Sequence, residues 1–198
     1  MPARRLLGAT LAALLATSLL SLGGPPAGAA TGDVTSFTDD ELVDLWGIAT
    51  GPDGNLWVTG GAQIARVTPD GDVTTFDDPD LVYTFGITGG PDGNVWFTDY
   101  DADLIGRITP AGDITTFEDP LEGIQGPYDI VTGPDGNLWF TNASEGGSIG
   151  RITPSGAITT FDHPDLDNPA GIGAGPDGNV WFTDTDGLVG RITPGGSI

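Results

Sequence analysis

Apolar residues occur along this chain in short bursts separated by turn formers. The stretch from Phe85 to Phe117 shows the pattern: Phe85-Gly86-Ile87-Thr88, then Val95-Trp96-Phe97-Thr98, then Leu104-Ile105-Gly106-Arg107-Ile108-Thr109, then Asp113-Ile114-Thr115-Thr116-Phe117. Each burst is too short for a buried helix, and each is rich in the β-branched and aromatic residues that suit a pleated, half-buried surface. The breaks carry turn chemistry. Pro91-Asp92-Gly93-Asn94 joins a proline that fixes φ to a glycine that accepts positive φ, and Pro110-Ala111-Gly112 reverses the chain again. With the loop from Asp99 to Asp103 between the second and third bursts, the pattern predicts four short antiparallel strands.

The unit repeats. Gly51-Pro52-Asp53-Gly54-Asn55-Leu56-Trp57 returns, with only Leu or Val varying, at 90–96, 133–139 and 175–181. A fixed period of about 40 residues with four strands per unit is the build of a propeller blade, so the fold class is all-β, a β-propeller of four-stranded antiparallel blades. Residues 32–37, Gly-Asp-Val-Thr-Ser-Phe, match the fourth strand of a unit, while the last unit stops just past its third strand at Gly190-Arg191-Ile192-Thr193-Pro194. The N-terminal strand is therefore expected to complete the last blade and close a ring of four, removing an open sheet edge. A fragment of a larger propeller, or one half of a ring made by two chains, fits the same register. One tryptophan per unit (Trp57, Trp96, Trp139, Trp181) is expected between blades. One arginine per unit (Arg66, Arg107, Arg151, Arg191) is expected to pair with the repeated Asp53, Asp92, Asp135 or Asp177, since charges that leave water are normally paired.

The first 30 residues break the pattern. Arg4 and Arg5 precede an apolar run from Leu6 to Leu22, followed by small residues through Ala30. This is the make-up of a secretory leader, which divides the chain into a signal peptide at 1–30 and a propeller domain at 31–198, and predicts a secreted, extracellular protein without a membrane anchor after cleavage. Charge narrows the partners. The chain has 6 Lys plus Arg against 28 Asp plus Glu, a net charge of −22, which argues against nucleic acid and against anionic membrane surfaces. It has no cysteine, so thiol catalysis is excluded.

The phrases Gly-Pro-Asp-Gly-Asn-Val-Trp-Phe-Thr at 90–98 and Ile-Gly-Arg-Ile-Thr-Pro at 105–110, followed by Asp113-Ile114-Thr115-Thr116-Phe117, resemble the streptogramin B lyase (virginiamycin B lyase) family. The likeness recurs in all four units and covers essentially the whole of residues 31–198. It implies a propeller whose members have more blades than the four repeats here. It also implies an antibiotic-resistance enzyme, one that opens the ester of a cyclic peptide antibiotic by elimination with a histidine base and magnesium. The family's histidines stand just before the Gly-Ile or Ala-Ile of the first strand. Those positions are held here by Trp46, Phe85, Tyr128 and Ala170, none of which can act as a base. The position after the Trp-x-Thr phrase, where the family has key acids, is held by Gly60, Asp99, Asn142 and Asp184.

Candidate chemistry gathers on one end of the blades. The loops between strands two and three, and those leading into the next unit, share that end and hold most of the acids. Asp99, Asp101 and Asp103 alternate along one loop, and Asp184 and Asp186 along another, a spacing that offers carboxylates to magnesium or calcium. The acidic end is expected to attract a small molecule, peptide or cationic ligand. His163, the only histidine, lies in the loop Asp162-His163-Pro164-Asp165 and is the one candidate general base. Trp46, Phe85 and Tyr128, at equivalent places on first strands, form a candidate aromatic ligand site. Asn142-Ala143-Ser144 matches a glycosylation sequon. The residues thus predict a ligand- or partner-binding scaffold, with self-association among its expected partners. The alternative is a streptogramin B lyase that uses His163 or completes its site by oligomerisation.

Overall fold

Internal contacts divide the chain into two units, Met1–Ser36 and Phe37–Ile198. In the computed structural model the described residues are 35–198 without 38, 41, 120, 122 and 145. Of the first unit only Thr35 and Ser36 are described, both exposed and outside regular secondary structure. The leader expected over 1–30 and the first residues of the expected closing strand, 32–34, lie outside the described residues, as do Glu41, Glu122 and Glu145 of the acidic loops.

The second unit is a row of β-sheets, one per repeat. The first sheet holds β1 (Leu45–Thr50), β2 (Leu56–Gly60), β3 (Gln63–Val67) and β4 (Val73–Asp77) in sequence order. The second holds β5 (Thr84–Gly89), β6 (Val95–Asp99), β7 (Leu104–Ile108) and β8 (Ile114–Phe117). The third holds β9 (Pro127–Thr132), β10 (Leu138–Asn142), β11 (Ser148–Ile152) and β12 (Ile158–Asp162). The fourth has β13 (Pro169–Ala174), β14 (Val180–Asp184) and β15 (Leu188–Ile192). All neighbours are antiparallel. The inner strands pack in succession, β1 on β5, β5 on β9 and β9 on β13. These are propeller blades.

The core lies between blades. At the first junction Trp57 and Ile64 of blade one meet Leu81, Ile87, Val95, Phe97, Leu104 and Ile108 of blade two. The second and third junctions repeat the arrangement around Trp96 and Trp139. Each of these three indoles is fully buried and stacks on a phenylalanine of its own blade's fourth strand, Trp96 on Phe117 with ring centroids 5.2 Å apart. The expected place of the tryptophans between blades is thus seen for Trp57, Trp96 and Trp139. Trp181 is 38% exposed, because no blade follows it among the described residues.

Closure of a four-blade ring by the N-terminal strand is not seen among the described residues. Residues 35–37 adopt no strand, and β15 pairs only with β14. Phe37 lies instead against Gly71 of blade one, leaving no room there for a side chain.

The repeated aspartate proves to be a turn residue first. Asp92 accepts hydrogen bonds from the Asn94 side chain (2.8 Å) and the Trp96 indole (3.0 Å), while Gly93 takes φ of 78° at the turn's tightest point. The same bonds recur at Asp53, Asp135 and Asp177. The expected arginine pairing is confined to two blades among the described residues, Arg191–Asp177 at 3.1 Å and Arg107–Asp92 at 3.8 Å. The arginines lie over the indole rings and, in blades one to three, donate to a proline carbonyl of the next blade, as Arg107 does to Pro154 at 3.1 Å. A planar guanidinium satisfies both demands at once, which a pure ion pair would not.

This turn predicts a pH response. Burial alone would raise Asp92, but the bonds from Asn94 and Trp96 outweigh it and hold its pKa below the ordinary 3.8; Asp53 and Asp135 behave alike. At Asp177 the bonds from Trp181 and Asn179, with a smaller share from Arg191, depress it further. A depressed folded-state pKa gives stability that is fully present above the unfolded value and lost as pH falls through the folded one. Urea midpoints should therefore hold down to about pH 4 and then fall with further acidification. Asp92→Asn should flatten part of that decline, and an unchanged acid limb in the variant would contradict the assignment.

Candidate functional site

Every inner strand loses its regular register at one place: between Leu45 and Ile48, Thr84 and Ile87, Pro127 and Ile130, and Pro169 and Ile172. A bulge leaves one residue unpaired and re-aims its side chain. The threonine opposite fills the gap. Thr98 Oγ1 accepts from Gly86 N–H at 2.8 Å, and Thr59, Thr141 and Thr183 do the same for Gly47, Asp129 and Gly171. The bulges hold the pairs Trp46-Gly47, Phe85-Gly86, Tyr128-Asp129 and Ala170-Gly171. The sequence-predicted aromatic trio therefore stands at the one point in each blade where the backbone is bent for it.

The three rings do meet. Trp46 and Phe85 lie 4.7 Å apart by ring centroid, and Phe85 and Tyr128 lie 5.0 Å apart. Two further rings, which the sequence did not single out, complete the patch. Tyr83 packs 5.2 Å from Phe85 and accepts the Trp46 indole N–H at 2.9 Å. Tyr100 packs 5.5 Å from Phe85 and edge-on to Tyr128 at 6.3 Å. All three tyrosines of the chain are thus gathered here. Tyr83 comes from the linker before β5 and Tyr100 from the turn after β6, so the patch opens on the end that bears the acidic loops. A hollow of about 160 Å³ lies between the rings, lined by Trp46, Gly47, Phe85, Gly86, Tyr128 and Asp129.

Asp129 is the second residue that sequence reasoning passed over. The other three blades have glycine at its place (Gly47, Gly86, Gly171), so the signal was a broken repeat. Its carboxylate accepts from Ile130 N–H at 2.9 Å and from Ile172 N–H of the next blade at 3.0 Å. Burial pushes its pKa above the ordinary 3.8, against the opposing pull of those two bonds. An acid that shares a hollow with three aromatic rings suits a ligand with a cationic group and a flat apolar face.

The predicted metal residues have other work. Asp99 is fully buried, and its oxygens accept from the N–H groups of Val82 (2.8 Å), Tyr83 (2.9 Å) and Ala102 (3.1 Å). Asp184 likewise holds Asp167, Asn168 and Asp186 N–H groups. Asp103 caps Gly126 N–H at 2.7 Å, while Asp101 and Asp186 point to solvent. Among the described residues no three of Asp, Glu and His are grouped to hold a metal. Of the residues expected to bind magnesium or calcium, Asp99 and Asp184 are thus engaged by backbone donors and Asp103 by one amide, and the described residues do not bring the five carboxylates together. The family's magnesium does not fit these residues.

His163 is also apart. Its Nδ1 accepts from Asp165 N–H at 3.3 Å, and the ring lines a separate hollow with Leu166, Leu188, Val189 and Ile198 at the edge of blade four. No aromatic residue of the patch lines that hollow, so this histidine is not placed to act as a base there. Asn142 of the sequon is buried, with its amide donating to Gly123 O (2.9 Å) and Ser148 Oγ (2.8 Å). It is a structural residue, unavailable to a glycan.

The fold and site can now be set beside known proteins. A family model described as the virginiamycin B lyase family matches residues 28–198. Among solved structures, a virginiamycin B lyase from Staphylococcus aureus is 38% identical, with a TM-score of 0.70 over 77% of this chain and 53% of that one. A catalytically inactive histidine-to-alanine variant of the S. aureus lyase, with quinupristin, is 35% identical, with a TM-score of 0.74 over 81% of this chain and 56% of that one. A streptogramin B lyase is 33% identical, with a TM-score of 0.70 over 77% and 52%. The chain spans about half the length of the structures it matches. A search of curated proteins finds no match.

Proposed function

Because the chain belongs to the virginiamycin B lyase family, we propose that it uses the family's propeller as an exported ligand-binding scaffold, without the family's elimination chemistry. Its ligand is a small molecule or peptide that offers a flat ring and a positive charge, taken up at Trp46, Phe85 and Tyr128 with Tyr83, Tyr100 and Asp129. One observation carries the reading: of the four positions that correspond to the family's histidines, three hold aromatic rings packed against one another, around a hollow with a single acid at its wall. Stacking and cation–π contact supply affinity, while no base stands by to take a proton. The strongly acidic composition supports export and a cationic ligand, and disfavours nucleic acid. The 38% identity to a working lyase favours one rival, a lyase that recruits a base from outside the described residues.

Quinupristin is the probe that separates the two. Titrated into the protein, it should quench tryptophan fluorescence through Trp46 and be recovered unchanged by chromatography. Phe85→Ala should weaken binding at least tenfold, a loss of about 1.4 kcal/mol. Conversion of the antibiotic to its ring-opened form would replace the scaffold reading by the lyase, and absence of saturable quenching would overturn it. Asp129 gives the binding a pH sign. A raised carboxyl pKa leaves the group neutral in acid, so affinity for a cationic ligand should grow as pH rises through the titration. The stability contribution of Asp129 runs the other way and is lost over the same window.

A further inference from the structure

Blade three departs from its neighbours at one pair of facing residues. Blades two and four pair Asp99 with Leu104 and Asp184 with Leu188 at the acidic end of their second and third strands. Blade three pairs Asn142 with Ser148. Serine in place of leucine takes a bulky side chain away. A hollow of about 280 Å³ stands there, lined by Gln125, Asn142, Ser144, Ser148, Thr160 and Asp162 with three glycines. Its walls are firmly held. Asn142 is 3% exposed and Ser148 8%. The Asn142 amide donates to Gly123 O at 2.9 Å and to Ser148 Oγ at 2.8 Å, and its carbonyl oxygen accepts from Gln125 N–H at 3.2 Å. Ser148 Oγ accepts that bond and keeps its own hydrogen to donate.

The lining is mostly amide and hydroxyl. Each such group both donates and accepts hydrogen bonds, as the hydroxyls of a sugar do. Among the described residues the one apolar side chain of the lining, Leu121, is 88% exposed, so the hollow offers no pocket for the apolar side chains of a peptide. The hollow also adjoins the aromatic patch. A Cβ at Gly126 would meet Ser144 Oγ at 2.8 Å and the Tyr100 ring at 3.1 Å, so Ser144 of the hollow and Tyr100 of the patch close on the same glycine. Gln125 and Ser144 also line a neighbouring hollow of about 430 Å³, together with Asp103, Glu118 and Asp119. With Asp162 in the polar hollow and Asp129 in the aromatic one, carboxylates are spread along the whole path. Among the described residues no three of them gather to hold one metal ion, which suits several separate positive charges instead.

We propose that the ligand of the aromatic patch is an oligosaccharide bearing amino groups, with one sugar ring on the aromatic rings and a further one in the polar hollow of blade three. The inference rests on the patch being a binding site. A pyranose has a C–H face and a rim of hydroxyls. The face packs on Trp46, Phe85 and Tyr128, as apolar surface does on aromatic rings. The hydroxyls meet Gln125, Ser144, Ser148 and Thr160, which convergent polar groups of a pocket are suited to orient. The ammonium groups face Asp129, Asp162 and the carboxylates between them. Gln125 and Ser148 are then specificity residues, which select a ligand long enough to reach past Gly126.

The probe is the fully deacetylated glucosamine hexamer, titrated into the protein while tryptophan fluorescence is read. It should quench saturably. Ser148→Leu, which restores the leucine of blades two and four, should weaken binding about tenfold by filling the hollow. Gln125→Ala should weaken it several-fold with unchanged melting, because Gln125 is exposed, and it stands in if Ser148→Leu does not fold. Cellohexaose, of the same length without amines, should bind about tenfold more weakly than the glucosamine hexamer. A glucosamine hexamer that binds the wild type and Gln125→Ala alike overturns the proposal, and so does cellohexaose bound as tightly. If quinupristin quenches and the glucosamine hexamer does not, the oligosaccharide is ruled out while the patch survives as a binding site. If neither quenches, both fall.

Discussion

Trp96→Ala is expected to cost about 3–5 kcal/mol of folding stability, the range for truncating a fully buried aromatic. The indole has no exposed surface, stacks on Phe117 and shares its core with Ile124, Ile130, Leu138, Phe140 and Ile152 of the next blade. The cost is large because the site cannot collapse. Strands on both sides are pinned, β6 by β5 and β7 and the next blade by its own ladder, so the void persists and its lining loses contacts outright. Arg107 also loses the ring under its guanidinium. The same cut at Trp181 removes much less buried area from a single chain and should cost less wherever the chain is monomeric. Urea unfolding of the two variants in dilute solution checks the ranking, and equal losses at both positions would contradict it.

Asp99→Ala should be comparably damaging, at about 3–5 kcal/mol, because three backbone N–H groups lose the acceptor that a fully buried carboxylate gives them. The carboxylate of Asp99 is what ties the linker carrying Val82 and Tyr83 to the turn carrying Ala102. Asp99→Asn should recover only about half of the loss, since an amide NH₂ would then face a backbone donor. Asn142, at the equivalent place in blade three, shows why the two residues are not interchangeable: its amide donates to Gly123 O and to Ser148 Oγ, and the place of Ser148 is held by Leu104 in blade two. Thermal or urea unfolding reads both variants. Loss of quinupristin quenching in Asp99→Asn at a temperature where it is folded would show that Asp99 also positions Tyr83 in the aromatic patch.

The blades were legible in the sequence because a turn such as Pro91 to Asn94 and a strand such as Val95 to Thr98 are decided locally, and four repeats report them four times. The place of the buried tryptophans followed from the same register. What the sequence hid is non-local. Asp99 and Asp101 look alike as loop acids, yet one is buried under three amides and the other faces solvent, because only the fold shows which lies beneath the linker. Tyr83 and Tyr100 come from different loops and meet only through the stacking of blades. Asp129 was visible as a departure from glycine, a single letter whose meaning depends on the strand of the next blade. The arginine pairing was legible for Arg107 and Arg191, whereas the proline carbonyls that receive Arg66, Arg107 and Arg151 were not, because they lie a whole repeat away.

The threonine that fills each bulge links the aromatic patch to the frame in an unexpected way. Its hydroxyl takes the amide beside the bulged residue and passes its own hydrogen to the carbonyl of the bulged residue one blade on. The patch residues are therefore strung on a continuous hydrogen-bonded belt, Thr59 to Phe85, Thr98 to Tyr128 and Thr141 to Ala170. Side chains on that belt can be exchanged without cutting it, since it uses only their backbone. That makes the mouth of this propeller interchangeable hardware: a histidine, an aromatic ring or an alanine fits the same socket, and the chemistry of the rim can drift while the frame stays still.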